Sequence, residues 1–178
     1  MTDVLEFACA LIFDTSGSLL LQQRDNKPGI NHPGMIGLFG GHREEGETFL
    51  ECAVREIHEE IGYLVVPDRF SHVTTFNSVS GNGHVVEIYQ VQDVPLHALV
   101  VTEGTLLIVE PDQIEGLMPN LTPSTRVAVR QFLGPSLLRS SEHVSASAVC
   151  LALGLIRATS FTHETAVEPI MRSIGSYT

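Results

Sequence analysis

The sequence predicts an α/β layered domain, and three observations carry that reading. Short apolar runs punctuated by Gly, Asn, Asp and Pro recur between residues 7 and 109. Two helical patterns stand apart from each other, one over residues 48–62 and one after Thr122. No internal repeat or low-complexity linker separates them. The 178 residues therefore fit one domain, long enough to bury about 70% of the unfolded surface.

Residues 7–13 are strand-like, and Asp14-Thr15-Ser16-Gly17 turns them into a second strand, Leu19–Gln23. Residues 27–34 make a Pro/Gly-rich loop, and 35–39 resume as a short strand ahead of Gly40 and Gly41. Those two glycines are expected to let the chain turn tightly before a helix and to expose a carbonyl. Thr48 is a fitting N-cap with Glu51 three residues on, which completes a capping box. Gly62 suits the left-handed position after the last turn. Leu50, Ala53, Val54, Ile57 and Ile61 share one arc of that helix, an apolar stripe that needs a core.

Downstream, 70–76 and 84–92 read as strands separated by the turn Ser80-Gly81-Asn82-Gly83. Residues 98–102 and 106–109 are weaker strand candidates, and 111–117 reads as a short helix. Thr122 as N-cap and Pro123 at the first helical position start a longer one, which runs to Leu133 before Gly134-Pro135. Residues 1–134 thus read as the domain and 135–178 as an extension. Its apolar stretch 144–158 reads as a helix packed on the domain or across a dimer, or as a lid over substrate.

The chemistry lies in residues 41–63, GHREEGETFLECAVREIHEEIGY. At about 100° per residue, Glu59 lies roughly 60° to one side of Glu56 and Glu60 roughly 40° to the other. Carboxylates three and four apart on a helix are neighbours and repel, so a bare helix would be weakened by them. A divalent cation between them relieves that repulsion. Hard cations held by carboxylates suit phosphate chemistry.

This stretch resembles the signature of the Nudix hydrolases, Gly-x5-Glu-x7-Arg-Glu-(apolar)-x-Glu-Glu-x-Gly-(apolar). Gly41, Glu47, Arg55, Glu56, Ile57, Glu59, Glu60, Gly62 and Tyr63 fill every fixed position. A looser likeness spans about Phe7 to Leu133 and departs from the pattern at two places. Phe39 replaces the usual proline before the double glycine, and Ile36 stands near a common tryptophan. The resemblance implies a Nudix α/β/α sandwich with a mixed sheet and a loop-helix-loop at the signature. It also implies MutT-like hydrolysis of a nucleoside diphosphate linked to another group, with Mg²⁺ as cofactor and Mn²⁺ as its alternative.

By the same carry-over, Glu56, Glu59 and Glu60 are metal ligands together with the Gly40 carbonyl, and Glu47 and Arg55 support them. An Arg beside Glu56 keeps that carboxylate ionised and fixes its rotamer. Glu103 lies where related enzymes place another carboxylate, as a ligand or as the base that activates water, and Glu87 competes for that role. Arg24, Lys27 and His42 are candidates to meet substrate; His58 fills a variable slot and is expected to be exposed. Residues 20–26 lack the arginine motif of coenzyme A hydrolases. Residues 77–80 lack both the tyrosine of dinucleoside polyphosphate hydrolases and the proline of ADP-ribose hydrolases. Nucleoside triphosphates and nucleotide sugars stay open as substrates, and a silent domain that senses nucleotide without cleaving it is the rival function.

Composition narrows the partners. The net charge of −11 argues against an extended nucleic-acid duplex, and the mean hydropathy of +0.17 indicates a globular chain. Cys9, Cys52 and Cys150 are odd in number and widely spaced, which fits free thiols in a reducing compartment. No basic segment ahead of an apolar run suggests secretion, and the longest apolar run, 148–156, is too short to span a bilayer. The expectation is a cytoplasmic protein, away from membranes, with a homodimer open.

Overall fold

The computed structural model describes residues 4–78 and 83–137. Cys150, the apolar stretch 144–158 and most of the turn at 80–83 lie outside the described residues. Seven strands form one sheet: β1 (Glu6–Asp14), β2 (Leu19–Gln23), β3 (Ile36–Gly37), β4 (Phe39–His42), β5 (Ser71–Asn77), β6 (Val85–Val94) and β7 (Thr105–Val109). The main path runs β3-β2-β1-β6-β5, with β4 pairing β1 and β7 pairing β2. β1 and β6 are parallel and the other pairs antiparallel, so the sheet is mixed.

Helices cover both faces. Helix α1 (Phe49–Ile61) lies on one face, where Cys52, Ala53, Ile57 and Ile61 pack with Ala8, Ala10 and Ile12 of β1. The short helix α2 (Ile114–Leu117) and the longer α3 (Pro123–Leu137) lie on the other. There Leu121, Ala128 and Val129 join Leu11, Phe13, Val86 and Ile88, and the rings of Phe13 and Phe132 are 5.5 Å apart. This is the expected α/β/α sandwich. Alternation along β1 sends even-numbered side chains to α1 and odd-numbered ones to α3.

The expected caps are in place. Thr48 Oγ1 accepts from the Glu51 amide at 3.2 Å, and Glu51 accepts in return from the Thr48 amide at 2.7 Å. Gly62 takes φ 65° after α1. Thr122 caps α3, accepting from the Thr125 amide at 3.3 Å. Helix α3 continues past Leu133 but is broken at Gly134, where φ is 68°.

Four expectations need correction. Residues 35–39 are not one strand: the chain changes partners at Leu38, from β2 to β1. Gly40 and Gly41 belong to β4 rather than to a tight turn, and what demands glycine there is close approach. A Cβ on Gly40 would fall 2.3 Å from the Ala8 carbonyl oxygen. Residues 98–102 are not a strand but a short 3₁₀ turn (Leu96–Ala98) and an irregular segment. The Val100 and Thr102 amides are spent on the carbonyls of Ile61 and Glu60 at 2.8 and 2.9 Å, which satisfies acceptors left open at the end of α1. In the buried stripe of α1, Cys52 takes the place expected of Val54, which is only half-buried.

Candidate active site at the seam of helix α1 and strand β4

The double glycine brings α1 against β1 and β4. Gly41 has no Cβ, and one built there would meet the Glu56 carboxylate at 2.5 Å. The Gly40 amide donates to Glu60 Oε2 at 2.7 Å. Glu60 is 9% exposed, an unusual place for a carboxylate unless something charged or polar completes it. Burial pushes it up to about 7, and the charges of Glu56 and Glu103 push the same way, against the Gly40 and Gln22 hydrogen bonds. Glu56 is also raised by burial, in spite of its ion pair with Arg55.

Arg55 organises the outer edge. Its Nε and Nη2 hold the Glu47 carboxylate at 2.7 and 3.0 Å, its Nη1 reaches Glu56 at 2.8 Å and Glu59 at 3.3 Å, and Nη2 also donates to the His42 carbonyl. The Arg55 hydrogen bonds, with help from the Glu44 amide, hold Glu47 down at about 2. Arg55 thus bridges Glu47 and Glu56, the contact that the family resemblance implied for a supporting pair. Glu59 is more than half exposed and His58 is exposed, as expected.

The segment docked on the end of α1 delivers Glu103. Thr102 Oγ1 donates to the Glu59 carbonyl at 2.7 Å, and Gln22 Nε2 reaches both the Glu103 carbonyl, at 3.2 Å, and Glu60 Oε1, at 3.5 Å. Glu103, Gln22, Arg24 and Lys27 line one small cavity. Glu87 lies on β6 beside Ala8, and its carboxylate accepts from the Tyr89 hydroxyl. Lys27 is exposed and paired with Asp25 at 2.9 Å.

Across the sheet from α1 a cleft of about 400 Å³ opens, lined in part by Gly40 and Gly41. Arg24 lines it, its Nε donating to the Asn31 carbonyl at 2.9 Å. Phe7, Cys9, His84 and the α3 residues Ser124 and Thr125 complete the walls, none of which spacing alone had singled out. His42 stays outside, exposed, its ring edge-on to Phe7 at 5.6 Å. Burial pushes the Cys9 thiol up to about 12, so it stands as a neutral wall rather than a nucleophile.

Among the described residues no group of three or more His, Cys, Asp or Glu side chains is gathered around one point to hold a metal ion. The helix carboxylates have separate partners: Arg55 holds Glu56 and Glu59, while the Gly40 amide and Gln22 hold Glu60. The donor chemistry still fits a hard cation. Glu56, Glu59 and Glu60 supply carboxylate oxygens on one helix edge, and burial raises the two more buried ones, as it does where a cation is wanted to restore the charged form.

The model of the NUDIX domain family matches residues 5–131. Among solved structures, the MutT protein of Methanosarcina mazei Go1 is similar, with a TM-score of 0.57 and 24% identity over 73% of this chain and 93% of that one. The dihydroneopterin triphosphate pyrophosphohydrolase of E. coli matches with a TM-score of 0.54 and 22% identity, covering 71% and 93%. A bifunctional NMN adenylyltransferase/ADP ribose pyrophosphatase from Francisella tularensis, solved with AMP and Mn ion, reaches 0.59 at 12% identity over 77% of this chain and 43% of that one. These likenesses concern the fold, whereas the domain match and the complete 41–63 spacing concern descent. The chain belongs to the Nudix family.

Proposed function

We propose that the protein hydrolyses a phosphoanhydride bond in a nucleoside diphosphate linked to another moiety, of nucleoside triphosphate or nucleotide-sugar type. The observation that carries this reading is Glu60: a carboxylate buried under the Gly40 amide, flanked by Glu56, at the seam whose glycines line the cleft. Glu56, Glu59 and Glu60, with the Gly40 carbonyl, would hold Mg²⁺, or Mn²⁺ in its place. Bound there, such an ion supplies charge to the phosphate oxygens and acidity to water. Arg55 and Glu47 hold the Glu56 rotamer. Glu103 takes the proton of the attacking water, a role supported by its coupling to Glu60 and by Thr102, which fastens its segment to α1. For Glu87, engagement by Tyr89 speaks against the same role.

Arg24 meets phosphate from the cleft side, and Lys27 lies further out beside Glu103. The nucleoside portion enters the cleft, where Phe7 and His84 offer rings in a chain that has no Trp. No helix of the described residues is long and apolar enough to cross a membrane. With Cys9 and Cys52 both free, a reducing cytoplasmic setting suits the chain. We read residues 1–134 as the catalytic domain and 135–178 as an extension that packs on it or on a second copy. Truncation after Gly134 with assembly and turnover unchanged would overturn a role for the extension.

The test is a panel of nucleoside triphosphates and nucleotide sugars with Mg²⁺, read as release of pyrophosphate, phosphate or monophosphate. Turnover of at least one member that stops with excess chelator is expected. Binding across the panel without turnover supports the sensing function instead, and full activity in chelator removes the metal from the mechanism.

A further inference from the structure

Arg43 lies in the part of the 41–47 spacing where any residue is allowed, yet it has more partners than most side chains of the site. Its Nε donates to Glu6 Oε2 at 2.7 Å, and its Nη2 reaches the same carboxylate oxygen. Its Nη1 donates to the Glu47 main-chain carbonyl. Its own amide donates to the Glu6 carbonyl at 2.8 Å. The guanidinium carbon sits 5.3 Å from the centroid of Phe49, the first residue of α1. One side chain thus ties together strand β1, the loop before α1 and the start of α1. The Arg43 and Glu6 side chains are 26% and 32% exposed, so the pair is screened less than a free surface pair.

We propose that Arg43 is a positioning residue for the carboxylate edge, acting through Glu47 and Arg55 on Glu56 and Glu59. The loop it anchors holds Glu44, Glu45 and Glu47 within four residues, and their mutual repulsion favours splaying the loop away from the sheet. Arg43 opposes this by fixing the Glu47 backbone against β1. The Glu47 carboxylate, further steadied by the Glu44 amide at 2.9 Å, then meets Arg55 in a two-pronged pair. Arg55 in turn sets where Glu56 and Glu59 lie. Loosening the first link leaves every proposed ligand present but misplaces them. The inference rests on the reading of those glutamates as metal ligands, so metal uptake is the direct readout.

Mn²⁺ binding, measured by calorimetry on the full chain, tests the relay alongside kcat at saturating metal. Arg43→Gln should raise the Mn²⁺ dissociation constant about tenfold. It should leave kcat at saturating metal within about threefold of wild type, because no reacting group is lost. Arg43→Lys should fall between, keeping one prong to Glu6. If Arg43→Gln does not fold, Glu6→Gln cuts the same anchor from the other end and should weaken Mn²⁺ binding likewise. A double variant no weaker than the worse single would place both residues in one relay. Wild-type Mn²⁺ affinity in the folded variants would overturn the proposal alone, whereas a wild-type protein that takes up no Mn²⁺ would overturn the metal reading and this relay together.

Discussion

The two faces of the sheet meet at Gly40 and Gly41 but are built in opposite ways. On the α1 side, the proposed metal ligands come from one stretch of the chain and carry like charge, with Arg55 bracing Glu56 and Glu59. On the α3 side, the cleft draws Phe7 and Cys9 from β1, Arg24 from just after β2, His84 from the approach to β6, and Thr122, Ser124 and Thr125 from the start of α3. Among the described residues no carboxylate lines it. Under the proposed function, the acidic edge repels an anionic substrate unless cations intervene, while the cleft admits its neutral part. On that proposal, reaction type and substrate choice reside on separate faces, and a substitution on one should leave the other's readout largely alone.

The strongest way to break that separation is Glu60→Gln. A glutamine keeps an acceptor for the Gly40 amide, so the seam should stay closed and the melting temperature should not fall. Turnover should drop about three orders of magnitude, roughly 4 kcal/mol in the barrier, because an anionic oxygen is lost where phosphate charge must be managed. Turnover within a few-fold of wild type would place the chemistry elsewhere.

The acidic edge should also declare itself without substrate. Glu60 is raised from 4.5 to about 7 in the fold, so between those values the native state holds a proton that the unfolded chain has lost. Stability from this group is full below about pH 4.5 and is lost as pH rises through 7, on the order of 3 kcal/mol. Glu56, also raised, adds in the same direction. Glu47 is lowered to about 2, so its contribution disappears only in strong acid, outside this window. Urea unfolding in chelator at pH 5 and pH 8 should therefore show a loss at the higher pH that Glu60→Gln largely removes. An equal loss in both proteins would refute the assignment.

How much of this was legible in the sequence follows the same division. Helix α1, its capping box and its closing glycine could be read because all depend on residues within one turn or one loop of each other, whereas the Glu47–Arg55 support came from the family resemblance. The docking of residues 98–102 could not, since their amides are claimed by carbonyls about 40 positions earlier, and apolar content alone suggested a strand. Glycine at 40 and 41 was legible as necessary but not for its reason, because the crowding comes from Ala8 and Glu56 across space. Arg43 carried only the faint signal of a lone cation ahead of three acids. Of the cleft only Arg24 carried a signal, the remaining walls being a product of sheet order.

On the cleft side, Thr125→Val tests whether the floor is held by hydroxyls. Thr125 is 1% exposed, its Oγ1 accepts from the Leu38 amide at 3.1 Å, and it lies 2.8 Å from the Thr122 hydroxyl. Valine matches the shape but leaves the Leu38 amide without a partner just where the chain passes from β3 to β4. A loss of about 1–3 kcal/mol in urea unfolding is expected. It should be accompanied by a higher KM and a kcat within a few-fold of wild type. Unchanged stability with a collapsed kcat would show that the two faces are coupled more tightly than their construction suggests.

The smallest effect should come from the residue closest to the seam on the cleft side. Cys9 pairs in register with Gly40, and its thiol shares the cleft wall with Arg24 and Phe7. Proximity to the chemistry would make it a natural suspect for covalent catalysis. Its surroundings argue otherwise: burial keeps the proton on, and the charges of Glu60 and Glu56 add to that, leaving almost no thiolate near neutrality. Cys9→Ser preserves the volume closely and supplies a hydroxyl that a half-open wall tolerates. Both kcat and KM should stay within about threefold of wild type, since no bond is made to this position. A fall in kcat of tenfold or more, measured with folding intact, would make Cys9 part of the reaction and would erase the boundary between the two faces at the point where they touch.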